Sequence, residues 1–268
     1  MRIGRFWARE TVTTRCSLGR EVRVDRWETS DQSPEAARQA ARESARRLEQ
    51  KLAAGGPLDR YPYGVRPLRE EILESLPGPT GERAAVVTRN GYGCEVLNAA
   101  RVMFVDIDLP GSTHGDGRER GALERIERFI HARPAFGFRV YRTAAGLRAL
   151  ATHAPLEPSA ANLEVLSALD SDPLYLRLCR EQACYRARLT PKPWRCGQEA
   201  IHIHFPFEDE GQRARVAHWT ADYAQRQRAF ATCALVRELG APGVHPELAP
   251  LVRLHDERTR VGSGLPLA

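Results

Sequence analysis

A four-residue apolar run, Val102-Met103-Phe104-Val105, ends on Asp106-Ile107-Asp108. The run reads as a buried strand, and side-chain alternation along a strand puts the two aspartates on one face at its end. Neighbouring carboxylates repel each other. They are comfortable as a pair when they share a divalent cation, because magnesium and manganese take hard oxygen ligands and bridge to substrate phosphates. Asp106 and Asp108 are therefore candidate catalytic residues and candidate ligands of Mg2+ or Mn2+. The plainer alternative is a strand that has reached the surface, with both acids hydrated or capping the loop that follows.

At 268 residues, with 42% hydrophobic and 28% charged residues, the chain can bury a real core as one large domain or two small ones. Its apolar runs are far shorter than the ~20 residues of a bilayer span. Met1-Arg2-Ile3-Gly4-Arg5 leads into no apolar signal core, so the expectation is a cytoplasmic protein with no membrane partner. Of 40 basic residues only Lys51 and Lys192 are lysines, and the formal net charge is +6. Arginine's planar fork grips phosphate or carboxylate, which favours an anionic partner such as a nucleotide or single-stranded nucleic acid. A GC-rich coding bias would give the same arginine excess with no functional meaning.

Residues 1–29 read as short strands in a hairpin around Leu18-Gly19. Ser33-Pro34-Glu35 supplies an N-cap, a first-turn proline and an acid at the positive end of the dipole, so a helix runs from there to about residue 53, before Gly55-Gly56-Pro57. A connector with a short helix over 68–76 follows. Strands are expected over 84–88 and 102–108, joined through Arg89-Asn90-Gly91-Tyr92-Gly93, in which Asn-Gly is a turn signal. A helix over 119–132 precedes two strands, 136–142 and 147–152, around Thr143-Ala144-Ala145-Gly146. Helices over 159–169 and 174–184, an extended 185–189, a strand over 200–205 and a long polar helix over 208–239 stopped by Gly240 complete the reading. This order predicts an α+β fold: a ferredoxin- or RRM-like central sheet with helices packed on one face, plus helical flanking segments. The chain divides into an N-terminal region 1–80, a core 81–207 and a C-terminal helical segment 208–268.

Two basic windows accompany the acid pair. Arg142 and Arg148 stand at the inner ends of two strands beside a small-residue turn, where a phosphate can approach the backbone; an ordinary surface hairpin is the alternative. The strip from Tyr185 through Arg186, Arg188, Lys192, Trp194 and Arg195 interleaves cations with aromatics, a pattern that stacks bases and tracks phosphates. It reads equally as an interior connector whose Trp194 fills the core. A third set, Cys179, Cys184 and Cys196 with His202 and His204, has zinc-ligand chemistry without the tight spacing of common zinc modules. Its alternative is buried cysteines beside a half-exposed histidine strand.

An apolar strand ending in Asp-x-Asp, then a helix, then a strand-turn-strand with glycine in the turn resembles the palm of the archaeo-eukaryotic primase and primase-polymerase superfamily, over roughly residues 84–205. The resemblance implies that Asp106 and Asp108 bind divalent metal and that the turn through Gly146 with Arg148 contacts an incoming nucleotide. Arg148 stands where that family usually has histidine, and none of Asp170, Asp172 and Asp256 ends a later strand as the family's third acid does. The expected function is metal-dependent nucleotidyl transfer or nucleotide binding. The rival is a non-catalytic, arginine-rich module that binds nucleic acid or protein.

Overall fold

The strand that ends on the acid pair forms, and it sits at a sheet edge. The computed structural model describes residues 1–15, 20–56, 68–111 and 114–268. The expected turn at Leu18-Gly19 and the start of the connector, residues 62–67, lie outside them. The chain divides into two units, Arg2–Arg69 and Glu70–Ala268.

In the first unit, β1 (Phe6–Arg15) and β2 (Glu21–Ser30) pair antiparallel, and α1 (Pro34–Ala53) packs against the hairpin. The Ser33 side chain accepts from the Ala36 N–H, as the Ser-Pro-Glu start predicts. Ala37, Ala41 and Ala45 recur at helical spacing and are buried, which lets the helix approach the pleated ribbon around Ala8 and Val12.

The second unit is built on two four-stranded antiparallel sheets. One has the order β3 (Glu71–Pro77), β4 (Arg83–Arg89), β5 (Glu95–Ala99), β9 (Tyr185–Arg188). The other has the order β10 (Ala234–Gly240), β7 (Gly137–Thr143), β8 (Gly146–Ala151), β6 (Phe104–Asp108). The helices are α2 (Gly117–Ala132), α3 (Ala160–Ala168), α4 (Pro173–Gln182), α5 (Glu210–Arg226) and α6 (Ala249–Thr259). The fold is thus mixed α+β. The sequence β6-α2-β7, with β8 inserted between the two strands, is a split β-α-β arrangement. The last strand, β10, then flanks β7 rather than β6, so the full ferredoxin-like order is not the one found.

Helices cover both faces of this second sheet, not one. The registers Phe104↔Leu150, Asp106↔Arg148 and Arg148↔Tyr141 put these side chains on a common face. There His255 of α6 stacks against Phe104 and Tyr141. On the opposite face, Phe138 meets Phe129 of α2, and Arg142 binds Glu119 at the start of α2.

Four further expectations change. Residues 71–77 form β3, not a helix, because β4 offers them a pairing edge. Residues 95–99 are a strand missing from the sequence reading. Residues 200–205 belong to no strand, and of the expected pattern only Ile201 is buried. The long helix 208–239 stops at Arg226. Its last third becomes β10, so part of the C-terminal segment joins the central sheet, and Gly240 ends a strand with a φ of 82°.

The two sheets meet at Tyr175 of α4. Its hydroxyl donates to the Phe104 carbonyl of β6 at 2.9 Å and accepts from the Arg186 N–H of β9 at 3.3 Å. The outer edge of β6 is closed by the loop before α4. Ser171 Oγ donates to the Asp106 carbonyl at 3.0 Å, and the Asp172 N–H donates to the same carbonyl at 2.9 Å.

Candidate functional site

Asp106 and Asp108 project from the end of β6 on the face that carries Arg148, with Asp106 half-buried and Asp108 exposed. Gly146 sits opposite Asp108 in the register. A Cβ there would lie 2.0 Å from the Ile107 carbonyl oxygen, so the missing side chain is what lets β8 pair closely with the acid strand.

Arg148 is buried beneath the acids. Its Nε lies 4.0 Å from Asp106 Oδ1, while Nη1 donates to the Arg188 carbonyl at 3.0 Å and faces His255 Nε2 at 3.3 Å. This guanidinium braces Asp106 from inside the fold and is not presented to a ligand. Arg142 is likewise engaged: its Nε donates to Glu119 Oε2 at 3.0 Å, and Nη2 donates to Glu119 Oε1. Arg186 forms a bidentate pair with Glu70 at 2.7 and 2.9 Å, and Glu70 accepts from Thr88 Oγ1. These three arginines hold structure together.

Arg188, Lys192 and Arg195 are different. All three lie within electrostatic reach of Asp108. Arg188 Nε and Arg195 Nη1 are buried donors with no hydrogen-bond partner among the described residues, as is Nε of Arg148. Burial first, then the charges of Arg188 and Arg195, pulls the Lys192 ammonium below its ordinary pKa. The Asp108 carboxyl is pushed upward, first by desolvation and then by Asp106 and Asp172.

Asp172 is the acid that the sequence reading set aside. It caps α4, accepting from the Tyr175 N–H at 2.7 Å, and its backbone bond to Asp106 brings it beside the pair. No strand pattern marks it; the signal was Asp172-Pro173, an N-cap before a first-turn proline. A polar groove of about 430 Å³ also opens at Asp108, with Arg118, Arg125 and Arg128 spaced along α2 and Gly121 in its wall. Arg125 is paired with Asp170 at 2.7 Å.

The zinc candidates are not assembled. Cys179, Cys184 and Cys196 are buried, whereas His202 and His204 are exposed on an irregular segment. Burial raises the Cys179 thiol to about 12 and the Cys184 thiol to about 11, which keeps both protonated. Among the described residues, no three His, Cys, Asp or Glu side chains form a ready metal cage. Magnesium is commonly held by one or two carboxylates together with waters and substrate phosphates, so the Asp106/Asp108 pair has the donor chemistry it requires.

Searches of protein-family models, curated proteins and solved structures find no match to this chain. The functional reading therefore rests on the site itself. Among the described residues, no helix is long and apolar enough to cross a membrane.

Proposed function

We propose that this chain binds a nucleotide through a divalent cation at Asp106 and Asp108 and transfers its nucleotidyl group, on a palm resembling that of the primase-polymerases. The observation that carries the reading is the meeting of opposite charges at Asp108. Two aspartates on one strand face, with Asp172 close by, lie within electrostatic reach of three cations, of which Arg188 and Arg195 each have a buried donor without a partner among the described residues. That combination suits a polyphosphate with its metal: oxygen ligands for the cation, and guanidinium and ammonium donors for the phosphates. The order β6, α2, β7, β8 fits the primase-like comparison, whereas Arg148 departs from it.

In this reading Arg188, Lys192 and Arg195 orient the phosphates and hold their charge. Arg148 fixes Asp106, taking over a place the resemblance assigns to nucleotide contact. A bound Mg2+ or Mn2+ would neutralise charge developing on the transferred phosphoryl group. The test is incorporation of labelled nucleotide on a single-stranded template with either metal, comparing the wild type with the Asp106→Ala, Asp108→Ala double variant. Product that disappears in the variant is expected. No product from folded wild type, across both metals and both sugar types, would leave the arginine-rich binding module as the better account.

A further inference from the structure

The loops on either side of the cation cluster carry two aromatic side chains that the core does not use. Tyr92, in the β4–β5 turn, is 42% exposed, and Trp194, in the 3-10 turn Pro193–Cys196, is 51% exposed. Their rings meet edge to face with centroids 5.5 Å apart. Lys192 Nζ lies 5.5 Å from the centre of the Trp194 ring, so the cation nearest the aromatic pair is also one of the three within reach of Asp108.

Both loops are held rigid from below by α5. Gly93 has a φ of 94°, and a Cβ on it would lie 2.2 Å from the Trp219 ring, so this turn is packed directly on that indole. Asn90 Oδ1 accepts from the Tyr92 and Cys94 N–H groups at 3.1 and 3.0 Å. Trp219 stacks on Tyr223 at 4.9 Å, and the Tyr223 hydroxyl donates to the Pro191 carbonyl, two residues before the 3-10 turn. Leaving two large rings in water on braced loops costs apolar exposure that the fold does not require. A rigid, solvent-facing aromatic pair edged by cations has the chemistry of a base-stacking surface: π-faces for any base and positive charge for its phosphates.

We infer that Tyr92 and Trp194 form a stacking platform for an unpaired base of a single-stranded nucleic acid, whose phosphates run along Lys192, Arg195 and Arg188 towards Asp108. The direction of the strand rests on the proposed function; the platform itself does not. An open edge-to-face pair offers a surface to a chain that passes over it, whereas a mononucleotide base is ordinarily enclosed in a concave pocket.

The test is fluorescence anisotropy of a labelled oligothymidylate, in EDTA and at low salt, with full-length protein. Trp194→Ala and Tyr92→Ala should each weaken binding by about tenfold, and Trp194→Phe should retain most of it. An abasic oligomer of the same length should bind the wild type and both alanine variants equally, because only its phosphates remain. Because the titration is run in EDTA, loss of the metal reading leaves this measurement intact. Unchanged affinity in the Tyr92→Ala, Trp194→Ala double variant overturns the inference. So does an equal loss on the abasic chain, or a matching loss of thymidine triphosphate binding in Trp194→Ala.

Discussion

Arg148 Nη1 lies 3.3 Å from Nε2 of the fully buried His255. A guanidinium can only donate, so Nε2 is the accepting nitrogen and the ring proton sits on Nδ1, 3.0 Å from Asp256 Oδ1. Asp256 in turn accepts from the Tyr141 hydroxyl at 2.7 Å and from Arg139 at 2.9 Å. The acid pair therefore rests on a buried chain running from Asp106 through Arg148 and His255 to Asp256.

That chain makes stability depend on pH. Burial, reinforced by the Arg148 charge and opposed by Asp256, lowers the His255 pKa to about 4. Between about pH 6.5 and 4 the unfolded histidine takes up a proton that the folded one refuses, so stability falls as pH falls through this window. The expected loss is roughly 2–3 kcal/mol, read from urea midpoints between pH 7.5 and 4.5. A His255→Gln variant should show a flatter profile. An equally steep profile in that variant would place the proton uptake elsewhere.

Replacing Arg148 by Met keeps much of the volume and removes the donors. The Arg188 carbonyl and His255 Nε2 then lose their partner, and Asp106 loses its internal counter-charge. A destabilisation of about 2–4 kcal/mol is expected by thermal or urea unfolding, with loss of nucleotide incorporation. Arg148→Met unfolding at the wild-type midpoint would show that the guanidinium contributes nothing net.

Gly146→Ala tests the close pairing of β8 with the acid strand. The new methyl meets backbone, which cannot swing aside as a side chain would, so one strand must move. The expected cost is about 2 kcal/mol or more, together with weakened manganese binding as the end of β6 shifts. Wild-type stability and metal affinity in this variant would contradict the geometry.

Asp108→Asn should act in opposite directions on stability and function. The folded carboxyl has a raised pKa, so folding favours its protonated form, and ionisation at neutral pH costs stability. Because Asp108 is exposed and screened, the gain from Asn is a few tenths of a kcal/mol at most, at pH 7, and vanishes at pH 3. Manganese binding by calorimetry should be abolished. A variant destabilised at pH 7 would mean that Asp108 is held by an attractive partner.

Elements marked by local chemistry were legible in the sequence. Ser33-Pro34-Glu35 starts α1, the apolar spacing of Leu123, Ile126 and Phe129 gives α2, and the small-residue turn gives the β7–β8 hairpin. Elements defined by a distant partner were not. Residues 71–77 contain helix-forming Glu and Leu, yet the edge of β4 draws them into a strand. In β10 the two-residue alternation is interrupted by a register shift between Leu235 and Arg237, so its strand pattern merges with the preceding helix. The shared face of Asp106 and Asp108 was legible, because their spacing along one strand alone sets it. The roles of the site's arginines were not, because Glu70, Glu119 and His255 decide which guanidinium is occupied, and each lies far from its arginine in sequence.

The phenol of Tyr175 has a mechanical meaning beyond its two hydrogen bonds. The acids belong to one sheet and Arg188 to the other, and this ring touches the backbone of both, at Phe104 and at Arg186. It works as a ruler that sets the gap between negative and positive walls by the length of a single side chain. Any change that tilts α4 would therefore shift the two sheets against each other and alter the separation of Asp108 from Arg188 without touching either residue.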